Sequence, residues 1–261
     1  MSQTDAIVTA ALLIIGNEVL SGRTRDANLP YIAETLNAIG VRLREARIVP
    51  DIEAEIIEAV NALRCRYDYV FTTGGIGPTH DDITAECIAK ALNRPLVNNP
   101  EALRRLQQHY GMAGLELTPA RLRMARIPEG ATLIDNPVSA APGFQIDNVL
   151  VMAGVPRIMQ AMLDGVKERL HGGQPVLSRS VGCNLGEGVI AAGLTAIQQR
   201  YPDVDIGSYP RFTSSSDGFR VTVVLRHTDA ARLDQVWVEA VQLIESLGGA
   251  VLAIDTSAST Q

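Results

Sequence analysis

The chain has 261 residues, of which 46% are hydrophobic and 20% are charged, and its formal net charge is −6. This composition is typical of a globular protein that is long enough for a sizeable core. The acidic balance excludes a general electrostatic attraction to nucleic acid or to an anionic membrane surface, so an anionic ligand has to be met by local groups.

The cysteines and the N-terminus indicate the compartment. The three cysteines, Cys65, Cys87 and Cys183, form no Cys-x-x-Cys pair, so neither a zinc site nor a disulfide framework is predicted. The N-terminus lacks the basic start of a signal peptide, and the apolar run Ala6–Ile15 is too short to span a membrane. We therefore expect a cytoplasmic protein without a membrane partner.

Strands and helices alternate along the first two-thirds of the chain. Ala6–Ile15 is an apolar run of the buried-strand type, and a helix capped by Asp26 follows from about Asn28 to Gly40. The next predicted elements are strand Val41–Val49, a helix capped by Asp51, strand Tyr69–Thr73, a helix through Leu92, helical segments around Glu101–Tyr110 and Pro119–Ala125, strands Gly143–Ile146 and Val149–Met152, and a helix from near Pro156. These βαβ units predict a doubly wound, parallel-rich α/β sheet that binds ligands at the carboxyl ends of its strands.

A linker is predicted at His171–Pro175, which divides the chain into domains 1–171 and 172–261. The second domain is predicted to be a small α+β module with an exposed hairpin loop at Tyr209–Gly218. Its elements are strand Val176–Val181, helix Glu187–Tyr201, strand Val204–Ser208, strand Phe219–His227 and helix Ala230–Leu247.

The loop after the third strand is the most informative segment. Gly74, Gly75 and Gly77 follow Thr73 directly, and glycine permits a positive φ and a close approach of backbone N–H groups to a ligand. The chain then turns through Pro78 and Thr79 toward a helix, whose N-terminus favours anions. The pattern indicates a phosphate site, whereas the alternative interpretation is ordinary turn chemistry.

Two adjacent carboxylates follow the glycines. Asp81 and Asp82 would repel an anion unless a metal cation or a proton intervened, so the loop favours a phosphate held together with a divalent metal. The loops after Ile15 and Val49 fall at the same edge of the predicted sheet, which favours a site over simple turns.

Four segments in register resemble one family. They are Ile14–Gly22 with Asp26 and Asn28, then Val49–Asp51, the loop Val70–Thr84, and Asn136–Phe144. Their order and spacing are similar to the three-layer αβα molybdopterin-binding fold of the MoaB/Mog proteins, and above all to its CinA (competence/damage-inducible protein A) branch. The resemblance covers residues 6–170, and the tail resembles the KH-like module of CinA proteins. Larger CinA proteins carry a further deamidase domain, which is not expected in this chain.

The resemblance implies a function. Mog-type relatives adenylylate molybdopterin, whereas CinA-type relatives are associated with metal-dependent hydrolysis of nucleotide pyrophosphates such as ADP-ribose or FAD. It also implies that Asp51 and Asp82 form an acidic pair for one Mg²⁺, Mn²⁺ or Co²⁺, and that the protein is a homo-oligomer, either a dimer or a trimer. The expected ligand is a pterin, such as molybdopterin, or a nucleotide.

The candidate catalytic residues are therefore Asp51, Asp82 and Asp81, with Asp51 and Asp82 as metal ligands. The candidate ligand-binding residues lie in the three loops and the Pro142 segment: Gly16, Asn17, Glu18, Ser21, Gly74, Gly75, Gly77, Pro78, Thr79, His80, Thr84, Pro142 and Gly143. Alternatives stay open, because Asp51 and Asp82 can be helix caps, and His80 can face solvent. The basic cluster Arg121, Arg123 and Arg126 can reach a phosphate or form a solvated helix face.

Two departures from the family pattern favour a second hypothesis, a molybdopterin binder without catalysis. Family members commonly read Leu-Pro-Gly-Val-Pro-Arg-Glu where this chain has Met152–Ile158, so a proline and a glutamate are missing, and Asn17 stands where an aspartate is frequent.

Nucleic-acid binding by the tail is not expected. Residues 173–261 hold six arginines and no lysine against nine acidic residues, and Gly186-Glu187-Gly188 supplies no Gly-x-x-Gly loop.

Overall fold

The computed structural model describes residues 7–211 and 220–252. The chain forms two compact units, Met1–Gln174 and Pro175–Gln261, where the sequence predicted a division between residues 171 and 172. None of the helices within the described ranges is long and apolar enough to cross a lipid bilayer.

The first unit is built on a six-stranded sheet. Within the described residues the unit has eight strands: β1 (Val8–Ile15), β2 (Val41–Val49), β3 (Tyr69–Thr73), β4 (Leu96–Asn98), β5 (Arg126–Pro128), β6 (Thr132–Ile134), β7 (Gly143–Ile146) and β8 (Val149–Met152). The sheet order is β2-β1-β3-β8-β7-β6, in which β2, β1, β3 and β8 are parallel and β7 is antiparallel to both β8 and β6. The strands β4 and β5 form a separate antiparallel pair. The carboxyl ends of β1, β2, β3 and β8 therefore lie at one edge of the sheet.

Helices cover both faces of this sheet. The helices of this unit are α1 (Asn17–Leu20), α2 (Asn28–Ala38), α3 (Glu53–Arg64), α4 (Thr84–Ala91), α5 (Pro100–Met112), α6 (Pro119–Leu122) and α7 (Pro156–Val166). Of these, α3 and α4 pack on one face of the sheet and α2 and α7 on the other. The side chains of β1 alternate between two separate apolar clusters, with Leu13 in one and Leu12 in the other, and both are fully buried. Burial on both faces explains why β1 is a continuous apolar run. The predicted three-layer αβα class is confirmed.

Local chemistry explains where α2 begins. The Asp26 carboxylate accepts a hydrogen bond from the Leu29 N–H at 2.8 Å, which satisfies one of the free donors of the first turn, although Ala27 occupies the cap position itself. The helix ends before Gly40, whose φ of +77° is in the left-handed region that favours glycine.

The second unit is an antiparallel α+β module. Its elements are β9 (Leu177–Cys183), α8 (Glu187–Arg200), β10 (Asp205–Pro210), β11 (Val221–His227), α9 (Ala230–Ser246) and β12 (Val251–Leu252), and its sheet order is β10-β11-β9-β12. A β-α-β-β-α-β chain with this strand order is a ferredoxin-like split βαβ module. The α+β class is confirmed, and the likeness to the KH-like module of CinA proteins stays a prediction. Of the predicted hairpin loop, Tyr209 and Pro210 belong to β10, and residues 212–219 lie outside the described residues.

Candidate functional site

The glycine loop begins where β3 ends. Gly74 has a φ of +105° and Gly75 a φ of +65°, conformations that residues with a side chain rarely adopt. A Cβ atom on Gly74 would lie 2.1 Å from the carbonyl oxygen of Ile15, at the end of β1. Glycine is therefore required at position 74 by both its conformation and its neighbours, and the loops after β1 and β3 touch there.

Thr84 supports the glycine loop through two hydrogen bonds. It is fully buried at the start of α4, and its hydroxyl donates a hydrogen bond to the Gly74 carbonyl at 2.9 Å. Its N–H donates to the Gly75 carbonyl at 3.0 Å. We predicted a contact between Thr84 and a ligand, but the structure uses its hydroxyl hydrogen to fix the loop.

Asp82 closes a tight turn before α4. Its Oδ2 accepts a hydrogen bond from the Thr79 N–H at 2.8 Å and another from the Thr79 hydroxyl. A Cβ atom on Gly77 would lie 2.6 Å from the same oxygen, so Gly77 gives the carboxylate its room. The alternative that Asp82 caps α4 is wrong, because the cap position belongs to Ile83, which makes no side-chain capping bond.

Asp81 and His80 lie on the outer side of this turn. The pKa of the Asp81 carboxyl is lowered, first by hydrogen bonding to the Thr79 hydroxyl, then by its own backbone N–H and by His80. In the structure the Thr79 hydroxyl donates to Asp82 instead, so the two carboxylates are alternative acceptors for one hydrogen. His80 is 96% exposed, with Nδ1 3.9 Å from Asp81 Oδ1, and Pro78 is also exposed, so the tip of the loop is open to solvent.

Asp51 joins the loops after β1 and β2. Its Oδ2 accepts a hydrogen bond from the Asn17 N–H at 2.9 Å, and the Gly16 N–H donates to the Val49 carbonyl at 3.1 Å. The prediction that Asp51 caps the following helix is wrong, because Ile52 occupies the cap position of α3 and makes no side-chain capping bond. The Asp51 carboxylate instead anchors the start of α1, which carries the candidate residues of the first loop.

The first loop presents polar side chains to solvent. Asn17, Glu18 and Ser21 are all exposed, and the Ser21 hydroxyl donates to the Glu18 carbonyl at 3.2 Å. The Glu18 carboxylate folds back over Gly16, since a Cβ atom there would lie 2.6 Å from Oε1. These side chains are therefore free to turn toward a ligand without unfolding the loop.

The segment around Pro142 forms part of a cleft beside the glycine loop. Pro142 lines a shallow cleft together with Gly75, Gly77 and Asp82. Gly143 is buried, and a Cβ atom on it would lie 2.3 Å from the Val151 carbonyl oxygen, so its role in the structure is close packing of β7 on β8.

Sequence reasoning missed several residues of this region. Glu86 was missed, whereas Arg123 and Arg126 were left open between a phosphate contact and a solvated helix face, and all three line the same cleft as the glycine loop. Asn28, which is 4% exposed, donates from Nδ2 to the Gly154 carbonyl at 2.8 Å. A Cβ atom on Gly154 would lie 3.2 Å from Gly74 Cα, so Asn28 supports the loop through its neighbour. In the sequence, the Asp26-x-Asn28 spacing could have pointed to this role of Asn28.

The carboxylates fit the donor set of a hard divalent cation. Within the described ranges, no hydrogen bond engages Oδ1 of Asp51 or of Asp82, so each has an oxygen available. No group of three or more His, Cys, Asp or Glu side chains within those ranges is placed to hold a metal ion. An ion at these residues would complete its shell with water and phosphate oxygens, which is the usual behaviour of Mg²⁺.

The structure contains a larger cavity away from these loops. It has a volume of about 360 Å³ and is lined by Asp147, in the turn between β7 and β8, together with Arg94 and Arg169. That turn lies at the amino end of β8, opposite the glycine loop, and the lining includes none of the predicted site residues. This cavity and the predicted site are therefore two separate places in the first unit.

Comparison with known proteins gives two family matches. Residues 11–172 match the family described as a probable molybdopterin binding domain. Residues 175–249 match the family described as the middle domain of FAD synthase.

Individual relatives extend the comparison. The chain is 35% identical over 212 residues to a protein of Pyrobaculum calidifontis, covering 78% of this chain and 81% of that protein. It is 41% identical over 158 residues to a CinA-like protein of Geotalea uraniireducens, covering 59% of this chain and 38% of that protein. Among solved structures, the CinA protein of Thermoplasma acidophilum, described as having unknown function, is 36% identical with a TM-score of 0.58, covering 62% of this chain and 96% of that one.

Proposed function

The chain belongs to the molybdopterin-binding domain family as a CinA-like member, and we propose that it binds a pterin or a nucleotide pyrophosphate at the glycine loop. The observation that carries this proposal is the conformation of Gly74 and Gly75. Both have a positive φ at the carboxyl edge of a parallel sheet, and since the Gly74 N–H donates to the Met152 carbonyl, the backbone donors that would approach an anion are those of the residues that follow it.

The proposal includes a divalent metal, which is Mg²⁺, Mn²⁺ or Co²⁺, at Asp51 and Asp82. Each of these carboxylates keeps one oxygen outside its hydrogen bonds, and hard cations prefer oxygen ligands. When bound, the metal would neutralise charge on phosphate oxygens and acidify a bound water.

We further propose that the protein hydrolyses its ligand, in the manner of an ADP-ribose or FAD pyrophosphatase. A water oxygen bonds to one phosphorus, the bridging P–O bond breaks, and the bridging oxygen leaves with the second phosphate. The N–H groups of the loop would hold the attacked phosphate, the proton of the water would pass to solvent, and Asp81, beside Asp82, would support the site with its negative charge. The match of residues 175–249 to a domain of FAD synthase supports a nucleotide as ligand.

A pyrophosphatase assay tests the catalytic part. Purified protein is incubated with ADP-ribose or FAD and with each metal, and the two phosphate monoesters are quantified. We expect turnover by the wild type and its loss in Asp82→Asn, while Asp147→Asn, an exposed carboxylate at the opposite end of the sheet, keeps it. No turnover with any metal, or full turnover by Asp82→Asn, would refute catalysis at this site.

A second candidate function is a molybdopterin-binding protein without catalysis. The observation that favours it is Ile158, at the position where the family pattern has a glutamate, because this side chain packs against the apolar cluster of α2 and α7 instead of supplying a carboxylate. Saturable pterin binding without turnover would select this candidate.

The assembly is also a proposal. Because members of this fold form dimers and trimers, we propose a homo-oligomer, which light scattering on the full chain tests by its molar mass. A mass near 28.0 kDa would contradict it.

A further inference from the structure

A pair of arginines shares the cleft described above with the glycine loop. Arg123 follows α6 and Arg126 begins β5, and both line this cleft together with Gly75 and Gly77. The apolar part of the lining includes Phe144. Guanidinium groups in one cleft with the backbone of a glycine loop form a suitable setting for a ligand with more than one anionic group.

Both arginines share one internal carboxylate. Arg126 Nη1 lies 3.2 Å from Glu86 Oε1, and Arg123 Nη2 lies 4.0 Å from the same oxygen. Arg123 Nη1 also donates to the Thr79 carbonyl at 3.1 Å, so this arginine touches the turn that holds Asp82. All three charged side chains are partly exposed, between 34% and 42%, so solvent and a ligand can reach them.

The arrangement leaves much of the donor capacity of the arginines unused. Each guanidinium has five N–H donors in a planar fork that matches two oxygens of one partner, yet here two guanidinium groups converge on one oxygen of Glu86. Each phosphate of a diphosphate diester has two nonbridging oxygens, so one oxygen can pair with each guanidinium group at once. Glu86 therefore satisfies the pair less completely than a phosphate would.

We propose that Arg123 and Arg126 bind the second phosphate of a diphosphate ligand and that Glu86 is the internal anion which this phosphate displaces. The inference rests on the proposed function, because it assumes that the first phosphate lies on the glycine loop. It makes the arginine pair the feature that distinguishes diphosphate esters from monophosphates.

The test measures dissociation constants for ADP-ribose and AMP with Mg²⁺ by calorimetry on the full chain. We expect Arg123→Gln and Arg126→Gln each to weaken ADP-ribose binding about tenfold, the loss of one charge-assisted contact, and to leave AMP binding unchanged. Glu86→Gln removes the competing charge and is expected to strengthen ADP-ribose binding. Arg121→Gln is the matched control, since Arg121 stacks on Tyr110 and donates to the Glu116 carbonyl instead of lining the cleft.

The outcomes separate this inference from the proposed function. If the arginine variants keep the wild-type affinity for ADP-ribose, or lose AMP and ADP-ribose binding equally, the inference is overturned and the glycine-loop site stands. Wild-type protein that binds neither ligand overturns both. The thermal unfolding of each variant is measured beside the titrations, to show that the variant is folded. If Arg126→Lys keeps part of the ADP-ribose affinity that Arg126→Gln loses, the contact depends on the charge of this side chain.

Discussion

The Thr84 hydroxyl donates a hydrogen bond to the Gly74 carbonyl across ten residues of the glycine loop, in a fully buried position. The start of the loop is therefore held in place without a ligand. Pre-ordering of this kind lowers the entropy cost of binding. It also means that a substitution of Thr84, which supports the loop from within the protein, can disturb the loop.

The variant Thr84→Val tests this support. The Gly74 carbonyl would lose its partner in a buried place, so we expect the free energy of unfolding to fall by about 1–3 kcal/mol. Urea denaturation measures this change. Thr84→Ser keeps the hydroxyl and is the control, which is expected to lie much closer to the wild type. Equal stability of Thr84→Val and Thr84→Ser would show that the hydrogen bond has no net effect.

Gly75→Ala tests whether the loop requires glycine for space as well as for conformation. Gly75 and Gly114 have nearly the same φ, +65° and +64°, but a Cβ atom on Gly75 would lie 2.2 Å from the Thr84 hydroxyl, whereas one on Gly114 would meet nothing within 4 Å. We expect the left-handed conformation to cost both alanine variants about 1–2 kcal/mol. The crowding adds about 1–3 kcal/mol for Gly75→Ala alone, as read from urea denaturation. Similar losses in the two variants would contradict the close packing of this loop.

Much of the fold was predictable, because its signals are local. β2 and β3 have the predicted bounds, since their ends are marked by Gly40, Asp51 and the glycine loop. The strands β4, β5 and β6 were missed because three residues give no periodicity. The partner of Asp51 lies 34 residues away, so a contact with Asn17 could not be read from spacing, and a helix cap was the nearer interpretation.

The candidate site was predictable in its loops but not in its contacts. The glycines and aspartates were identified by residue type, because their chemistry is visible in the sequence. The cleft that contains Arg123 and Arg126 depends on where the β4–β5 pair packs, which no local pattern encodes. The ferredoxin-like order of the second unit likewise depends on long-range strand pairing.

Asp51→Asn separates the structural role of this side chain from its proposed metal contact. An amide oxygen can still accept the Asn17 N–H, and Asn and Asp are about equally good acceptors at helix starts, so the thermal midpoint is expected to change little. The charge is lost, so Mg²⁺ should no longer strengthen ADP-ribose binding. Calorimetry with and without Mg²⁺ checks this, and a full magnesium response in Asp51→Asn would remove Asp51 from the metal site.

The lowered pKa of the Asp203 carboxyl predicts that the second unit loses stability in acid. Two hydrogen bonds from Arg232, at 2.9 and 2.8 Å, lower the pKa of the Asp203 carboxyl from its usual 3.8 to about 2. Because the pKa is lower in the folded state, this ion pair stabilises the fold fully above pH 3.8 and stops doing so as the pH falls through about 2. Unfolding free energies measured over this range should fall less steeply for Asp203→Asn. If the unfolding free energies of the wild type and of Asp203→Asn fall equally with pH, the lowered pKa of Asp203 is contradicted.

Calorimetric titration of the full wild-type chain with ADP-ribose, with Mg²⁺ and again with a chelator, tests the central claim most directly. The glycine loop and the two carboxylates predict saturable binding that requires the metal and that is weakened at least tenfold in Asp82→Asn, which loses one charge-assisted contact. Equal binding with and without metal, or binding that Asp82→Asn leaves intact, would contradict a phosphate and metal site at this edge of the sheet.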